Sequence, residues 1–227
     1  MTEIDVLYRD DNYLAVNKPS GMFVHRSEMD PQAEFILGRV RDLAGCYVWP
    51  VHRLDRPTSG VVVFALSQEA AGLLSRQFRE KEVEKKYLAV VRGYINEDGH
   101  IDYPLRKTNE SPLQSAVTNY KCLATCELKY PVGRYDTARF SLVDVRPVSG
   151  RYHQIRKHFA HIAHPVLCDT VHGDGRQNRF LRSRFDINRL LLAAVGIRFK
   201  NPYTSEYINI DAPLALEMKT VINKMFV

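Results

Sequence analysis

A chain of 227 residues with 45 % hydrophobic content is long enough for one large domain or two small lobes with a sizeable core. The apolar run "VVVFAL" at 61–66 is far short of the ~20 residues that span a bilayer, and no basic start with an apolar segment opens the chain. The net charge of +6 is unevenly spread: residues 151–200 hold ten Lys/Arg against three Asp/Glu, and the rest of the chain holds 22 against 23. These bounds exclude a membrane-spanning helix and an exported product and point to a cytoplasmic protein. The local basic excess draws polyanions, nucleic acid first, with a solvated basic face as the alternative.

In chain order, "IDVLYRDDNYLAVNKPSG" predicts a hairpin turning at Asp10-Asp11-Asn12, then a second turn at Lys18-Pro19-Ser20-Gly21. "AEFILGRVRDLA" places Ile36, Leu37, Val40, Leu43 and Ala44 on one helical face. "SQEAAGLLSRQFREKEV" repeats the pattern with Ala70, Leu73, Leu74 and Phe78, with Ser67 as its N-cap. Between them "VVVFAL" reads as a central strand, fed by the loop "VHRLDRPTSG". "KKYLAVVRGYI" is a further strand, Asn96 to Gly99 a turn, and Arg106 to Ser115 a mobile loop.

A strand is expected around Cys122 and Cys126, another at "TARFSLVDVRP", and a turn at Val148-Ser149-Gly150. "YHQIRKHFAHI" then puts Ile155, Phe159 and Ile162 on one helical face, and a basic loop, "HGDGRQNRFLRSR", follows. Strands at "LLLAAVGIRF" and "YINI", joined through Asn201-Pro202, precede a C-terminal helix from Pro213. Helices and strands mix without strict βαβ repetition, so an α+β chain with a largely antiparallel sheet is expected. No repeat or linker divides it, and a single bilobal catalytic domain is the economical reading.

The four cysteines, Cys46, Cys122, Cys126 and Cys168, lack paired C-x-x-C spacing and read as buried reduced thiols. His153, His158, His161 and His164 fall within twelve residues, yet only His158 and His161 share a helical face. Zinc needs three or four converging ligands, so no metal is expected and RNA-facing or partly buried imidazoles are preferred. Ser59 and His52 near Asp55 lack a G-x-S-x-G elbow, and neither nucleotide-binding glycine pattern occurs. What remains is Asp55, a carboxylate between Arg53 and Arg56. It is either a surface ion pair worth about 0 to 1 kcal/mol or a charged group held for chemistry, with Arg156 closing on it from the later helix.

"HRLDRPTSG" resembles the active-site motif of the RluA-type pseudouridine synthases. "EKKYLAVVRG" is similar to that family's second motif and "SGRYHQIRKHFAHIAHPVLCD…HGD" to its third, and the opening "VLYRDDNYLAVNKPSGMFVH" extends the likeness over nearly the whole chain. The resemblance implies a mixed, mainly antiparallel bent sheet with flanking helices around a central cleft, and isomerisation of uridine in RNA without metal or cofactor. It assigns Asp55 as the essential carboxylate, Tyr87 as the ring that stacks on uracil and helps remove the C5 proton, a core strand tyrosine being the alternative, and Arg156 as the aspartate's partner, beside Ile155 in the pocket.

By the same likeness Arg53 enters the space left by a flipped nucleotide, His52, Arg151 and His153 lie beside RNA, and Arg176 and Arg179 hold phosphates. Relatives often carry an extra S4 RNA-binding domain, whereas this chain starts directly with the catalytic domain. Many also have a histidine where Ala193 stands in "RLLLAAV". "NKPSGMFVHRS", "DRPTSG" and "HGDGRQNR" most resemble the TruC branch, which implies tRNA as partner and uridine 65, in the acceptor/T-stem region, as target. A ribosomal-RNA enzyme of the same family and a non-catalytic RNA-binding module are the competing readings.

Overall fold

The computed structural model describes residues 4–25 and 34–226. Ala33, which opens the first expected helix, and Arg26-Ser27 of the opening motif lie outside the described residues. In chain order the elements are β1 (Val6–Arg9), β2 (Tyr13–Lys18), α1 (Ile36–Ala44), β3 (Trp49–Pro50), β4 (Ser59–Ala65), α2 (Gln68–Glu80), β5 (Glu84–Arg92) and β6 (Gly99–Asp102). There follow β7 (Val117–Leu128), β8 (Ala138–Pro147), α3 (Gln154–His161), α4 (Gly175–Phe185), β9 (Leu192–Lys200), β10 (Tyr207–Asp211) and α5 (Leu216–Phe226). The architecture is α+β, and β1 on β2, β2 and β3 on β4, β10 on β9, β5 and β7 on β8, and β6 on β7 all pair antiparallel.

The chain folds as two compact units, Met1–Lys85 with Ala194–Leu214, and Lys86–Ala193 with Ala215–Val227. In the first, the β1–β2 turn is set by Asp10, whose Oδ1 accepts from the backbone N–H of Asn12 and Tyr13 at 2.8 and 2.6 Å. Every residue of β4 is buried, as its unbroken apolar run dictates. α2 opens on Ser67, whose hydroxyl accepts from the Ala70 N–H, and lays Ala70 and Leu74 against Tyr13, Val61, Val63 and Phe199.

The first turn of β4 contains a backbone constraint. Gly60 sits at φ +118, and a Cβ built there would overlap the backbone of Ala194. Gly60→Ala is expected to cost more than about 4 kcal/mol, because neither the φ nor the neighbouring backbone gives way. The check is a urea unfolding midpoint, and a loss under about 1 kcal/mol contradicts the packing described.

In the second unit β7 and β8 form a long hairpin, and Ala89, Val91, Val143, Val145, Ile155, Phe159, Val166 and Leu192 make its core. One segment departs from the sequence reading: the basic stretch after His172 is not a loop, since residues 175–185 form α4. Asp174 caps that helix by accepting from the N–H of Arg176 and Gln177, and Leu181 is fully buried. Arginines are good helix formers, so a high charge did not preclude a helix.

Candidate active site

The residues singled out above fall in both units: His52, Arg53 and Asp55 in the first, and Tyr87, Arg151, His153, Ile155, Arg156, Arg176 and Arg179 in the second. Asp55 is half-buried on the loop four residues before β4, with Arg53 and Arg56 exposed on either side. The Thr58 N–H closes the loop by donating to the Asp55 carbonyl at 3.0 Å.

The earlier turn at Lys18-Pro19-Ser20-Gly21 clamps this loop. Lys18 is fully buried, and its Nζ donates to the carbonyls of Pro19, Met22 and Arg56 at 2.9, 2.7 and 3.2 Å. The Ser20 hydroxyl donates to the Pro57 carbonyl at 2.7 Å. The Gly21 N–H donates to the Arg56 carbonyl, and the Arg56 Nε returns a bond to the Gly21 carbonyl, each at 2.9 Å. Arg56 also lies over the Phe23 ring at 5.1 Å, so its guanidinium serves to hold the turn. Two strand-end loops are thus sewn together around the backbone on which Asp55 sits.

Lys18 was not singled out by sequence reasoning, because its three acceptors are backbone groups that no motif displays. Lys18→Met keeps the length of the side chain and removes the donors, leaving carbonyls unsatisfied at about 1 to 3 kcal/mol for a buried group. A loss of about 3 kcal/mol in urea unfolding is expected, together with faster proteolysis within residues 51–58. Wild-type stability in the variant contradicts the clamp.

His52 points into the fold. Its Nε2 accepts from the Val63 N–H at 3.0 Å, and its ring stacks on Phe78 with centroids 5.0 Å apart. Burial, with the Lys85 charge added, pushes this imidazole down to about 3, so it is neutral at physiological pH with its proton on Nδ1. Lys85 is itself pushed down to about 8 by burial.

In the second unit Tyr87 is half-buried on β5, opposite Val145 of β8, and packs against the cluster that holds Ile155. Ile155 is 6 % exposed. Arg156, the next residue of α3, is buried and paired with Asp169 as a bidentate fork, Nε to Oδ2 and Nη2 to Oδ1, both 2.7 Å. Asp169 Oδ1 also accepts from the N–H of Val171 and His172 at 2.9 and 3.0 Å. Burial pushes the Asp169 carboxyl up, but the hydrogen bonds from Arg156, His172 and Val171 outweigh it and hold the group below the usual carboxylate range.

Gln154 secures the start of α3. Its Nε2 donates to the Val117 carbonyl and the Thr118 hydroxyl, and its Oε1 accepts from the Ser149 hydroxyl and the Arg151 N–H. Arg151 is exposed, with Nε 3.3 Å from the Ser115 carbonyl. His153 takes a left-handed backbone, stacks on Tyr152 at 3.8 Å and sits with Nδ1 2.9 Å from His172 Nε2.

The other three histidines of the cluster do not converge on one point. His158 is fully buried between the Thr118 hydroxyl and the Tyr103 carbonyl, His161 stacks on Tyr103, and His164 bonds the Arg92 carbonyl. Burial lowers the His158 pKa. Among the described residues no three His, Cys, Asp or Glu side chains converge as a metal-holding group. The four cysteines are free thiols, but of the expected burial only Cys168 shows it in full: Cys46 is exposed and Cys122 and Cys126, on the alternating face of β7, are half-buried. Burial pushes Cys168 up to about 11, which makes it a poor nucleophile. No helix among the described residues is long and apolar enough to cross a membrane.

The exposed arginines of α4 suit a polyanionic partner such as nucleic acid. The chain belongs to the RNA pseudouridylate synthase family, whose profile matches residues 12–161. It is 46 % identical over 232 residues to tRNA pseudouridine synthase C of Haemophilus ducreyi, covering 98 % of this chain and 96 % of that protein. The protein of the same name from Vibrio parahaemolyticus is 45 % identical, covering 93 % of this chain and 91 % of its own. Among solved structures, human RNA pseudouridylate synthase domain containing 4 aligns with a TM-score of 0.73 at 22 % identity, over 98 % of this chain and 94 % of that one. Human RNA pseudouridylate synthase domain containing 1 aligns at 0.71 and 25 %, over 93 % and 84 %.

Proposed function

We propose that this protein isomerises one uridine of tRNA to pseudouridine, at position 65 in the acceptor/T-stem region, as a cytoplasmic enzyme in which both units serve one catalytic domain. The observation that carries the substrate reading is the near-full-length likeness to proteins named tRNA pseudouridine synthase C, at 45–46 % identity. The reaction breaks the N1–C1′ bond, turns the uracil and joins C5 to C1′. The C5 proton leaves and N1 is protonated, so there is no net redox change or hydrolysis, and no metal or cofactor is called for.

Asp55 is the catalytic carboxylate in this reading, acting on the ribose in its ionised form. The loop held by Lys18 and Ser20 is what fixes its backbone. Tyr87 supplies the ring against uracil and Ile155 the apolar wall beside it. Arg156 presents a guanidinium oriented by Asp169, so that an ionised carboxylate is matched by a fixed cation. A uridine within a stem must be extruded at a cost of a few kcal/mol. Exposed Arg53, two residues before Asp55, fills the vacated stack, while Arg151, His153, Arg176 and Arg179 face the RNA. His52, bonded to Val63, supports the loop from beneath.

The test is to incubate the purified protein with unmodified tRNA and, separately, ribosomal RNA, and to map pseudouridine at nucleotide resolution. One site in tRNA is expected. Product confined to ribosomal RNA overturns the substrate reading and keeps the chemistry, and binding without product in either RNA favours a module that no longer catalyses.

A further inference from the structure

The tip of the β7–β8 hairpin, residues 129–137, reads "KYPVGRYDT" and packs against α4. The Tyr130 and Phe180 rings lie 5.7 Å apart, and Arg184 Nη2 donates to the Tyr130 hydroxyl at 2.7 Å with its guanidinium 4.9 Å from that ring. Gly133, at φ +67, lies against the Arg176 side chain, whose Nη1 a Cβ there would meet at 3.2 Å. Val132 is buried, and its backbone N–H donates to the Tyr135 carbonyl at 3.0 Å, which closes the turn. The base of the tip is fixed as well: Glu127 accepts from Tyr94, Thr137 and Arg139. The tip is therefore a preorganised element.

Its charge is one-sided. α4 carries four arginines and no acid, and Arg176, Arg179, Arg182 and Arg184 are all exposed. The tip adds Lys129 and Arg134, with Asp136 the acid in that stretch. Of the neighbouring acids, Glu127 is bonded as above, Asp174 serves as helix cap and accepts from Arg92 Nη1 at 2.6 Å, and Asp186, the exposed C-cap of α4, accepts from Asn188 Nδ2 at 2.9 Å. Tyr135 is 49 % exposed, with Arg134 Nη2 bonded to its hydroxyl at 2.9 Å. The Arg134 hydrogen bond and charge, with Arg92 and Arg139 adding to the field, lower the Tyr135 pKa.

We propose that the hairpin tip extends the RNA-facing side of α4, where Arg176 and Arg179 already lie, into one continuous surface that grips the phosphate backbone of an RNA helix. Exposed arginines with an exposed tyrosine among them supply sequence-independent phosphate contacts, and a rigid support lets them bind without a large ordering cost. The surface is built onto the catalytic framework: Asn178 of α4 donates to the Asp169 carbonyl at 2.7 Å and accepts from the Cys168 N–H at 2.9 Å. The turn that orients Arg156 is thereby tied to the helix that meets the RNA. The inference rests on membership of an RNA-modifying family and not on which RNA is modified.

The test compares wild type with Lys129→Glu/Arg134→Glu, using a fluorescent short RNA duplex of unrelated sequence and KCl from about 50 to about 200 mM. Lys219→Glu/Lys224→Glu, on the exposed side of α5, removes the same net charge elsewhere in the unit. The tip variant is expected to bind at least about tenfold more weakly, with the slope of log K against log salt flattened by about 1 to 2, and the α5 variant to change less than about threefold. Equal losses in both variants, or none in the tip variant, overturn the proposal. Should the tip variant melt at a lower temperature than wild type, Lys129→Gln/Arg134→Gln replaces it, with a loss of about threefold or more expected. Pseudouridine formation in tRNA is scored separately with wild type, so failure of the substrate reading shows as absent product and leaves the duplex series intact.

Discussion

Asp55→Asn is expected to leave no detectable pseudouridine while the affinity for RNA changes by less than about threefold. The substitution keeps the shape of the side chain and removes its charge, and the loop that carries it is fixed by backbone bonds that asparagine does not touch. Lys18 still reaches the Arg56 carbonyl, Ser20 the Pro57 carbonyl, and the Thr58 N–H the backbone carbonyl of residue 55. Structure and chemistry therefore separate at this position, and a melting temperature close to wild type is part of the expectation. Loss of a group that acts on the ribose should lower kcat by several orders of magnitude, as other covalent and general-base roles do. Both routes open to an ionised aspartate, attack on the ribose and abstraction of a ribose proton, predict the same loss. Product formation by Asp55→Asn above about a hundredth of the wild-type rate contradicts the role assigned here. Weakened binding with an unchanged kcat would move Asp55 from chemistry to RNA contact.

How far this site could be read in advance depended on whether a feature is local in the chain. The buried strand at "VVVFAL", the Ser67 cap and the face formed by Ile155 and Phe159 follow from periodicity and capping, and each is where those rules place it. α4 was misread because its arginines suggested a loop, although an Asp174 cap followed by Leu181 and two phenylalanines was available in the sequence. The strands β3 and β6 were not expected: β3 is two residues long, and β6, "GHID", starts at the predicted 96–99 turn and offers Ile101 as its one apolar residue.

The interactions that support the site were hidden for a different reason. Lys18 acts through carbonyls of residues 19, 22 and 56, and Asp169 through an arginine thirteen residues earlier and two backbone N–H groups. Tertiary hydrogen bonds of this kind leave no spacing signature. The signal that was present was the residue type itself, a lysine before Pro-Ser-Gly and an aspartate closing "HPVLCD". His52 gave a weaker hint, since a histidine in an otherwise exposed loop is as compatible with bracing a strand as with touching a ligand.

Asp169→Asn is expected to destabilise the protein by about 3 to 5 kcal/mol, because the buried Arg156 guanidinium would then lose the charged acceptor of its bidentate fork. For a chain of this size that corresponds to a fall in Tm of roughly 6 to 20 °C. The pair is 3 % and 0 % exposed at the side chains, so solvent screening offers little relief. The sign of the pH dependence follows from the Asp169 carboxyl, which lies lower in the folded state than its unfolded value of about 3.9. Its contribution is then fully present above the unfolded value and disappears as pH falls through the folded one. Wild type should lose stability between about pH 4 and lower values, and the Asn variant should lose less over the same window, with the two curves converging in acid. Urea unfolding at a series of pH values measures both. Activity supplies the second readout: an Arg156 that no longer has a fixed fork should lower kcat in the fraction that remains folded, with KM for RNA little altered. Parallel pH curves would remove Asp169 as the titrating partner, and an unchanged kcat in folded protein would reduce its role to holding the turn from Cys168 to Gly173.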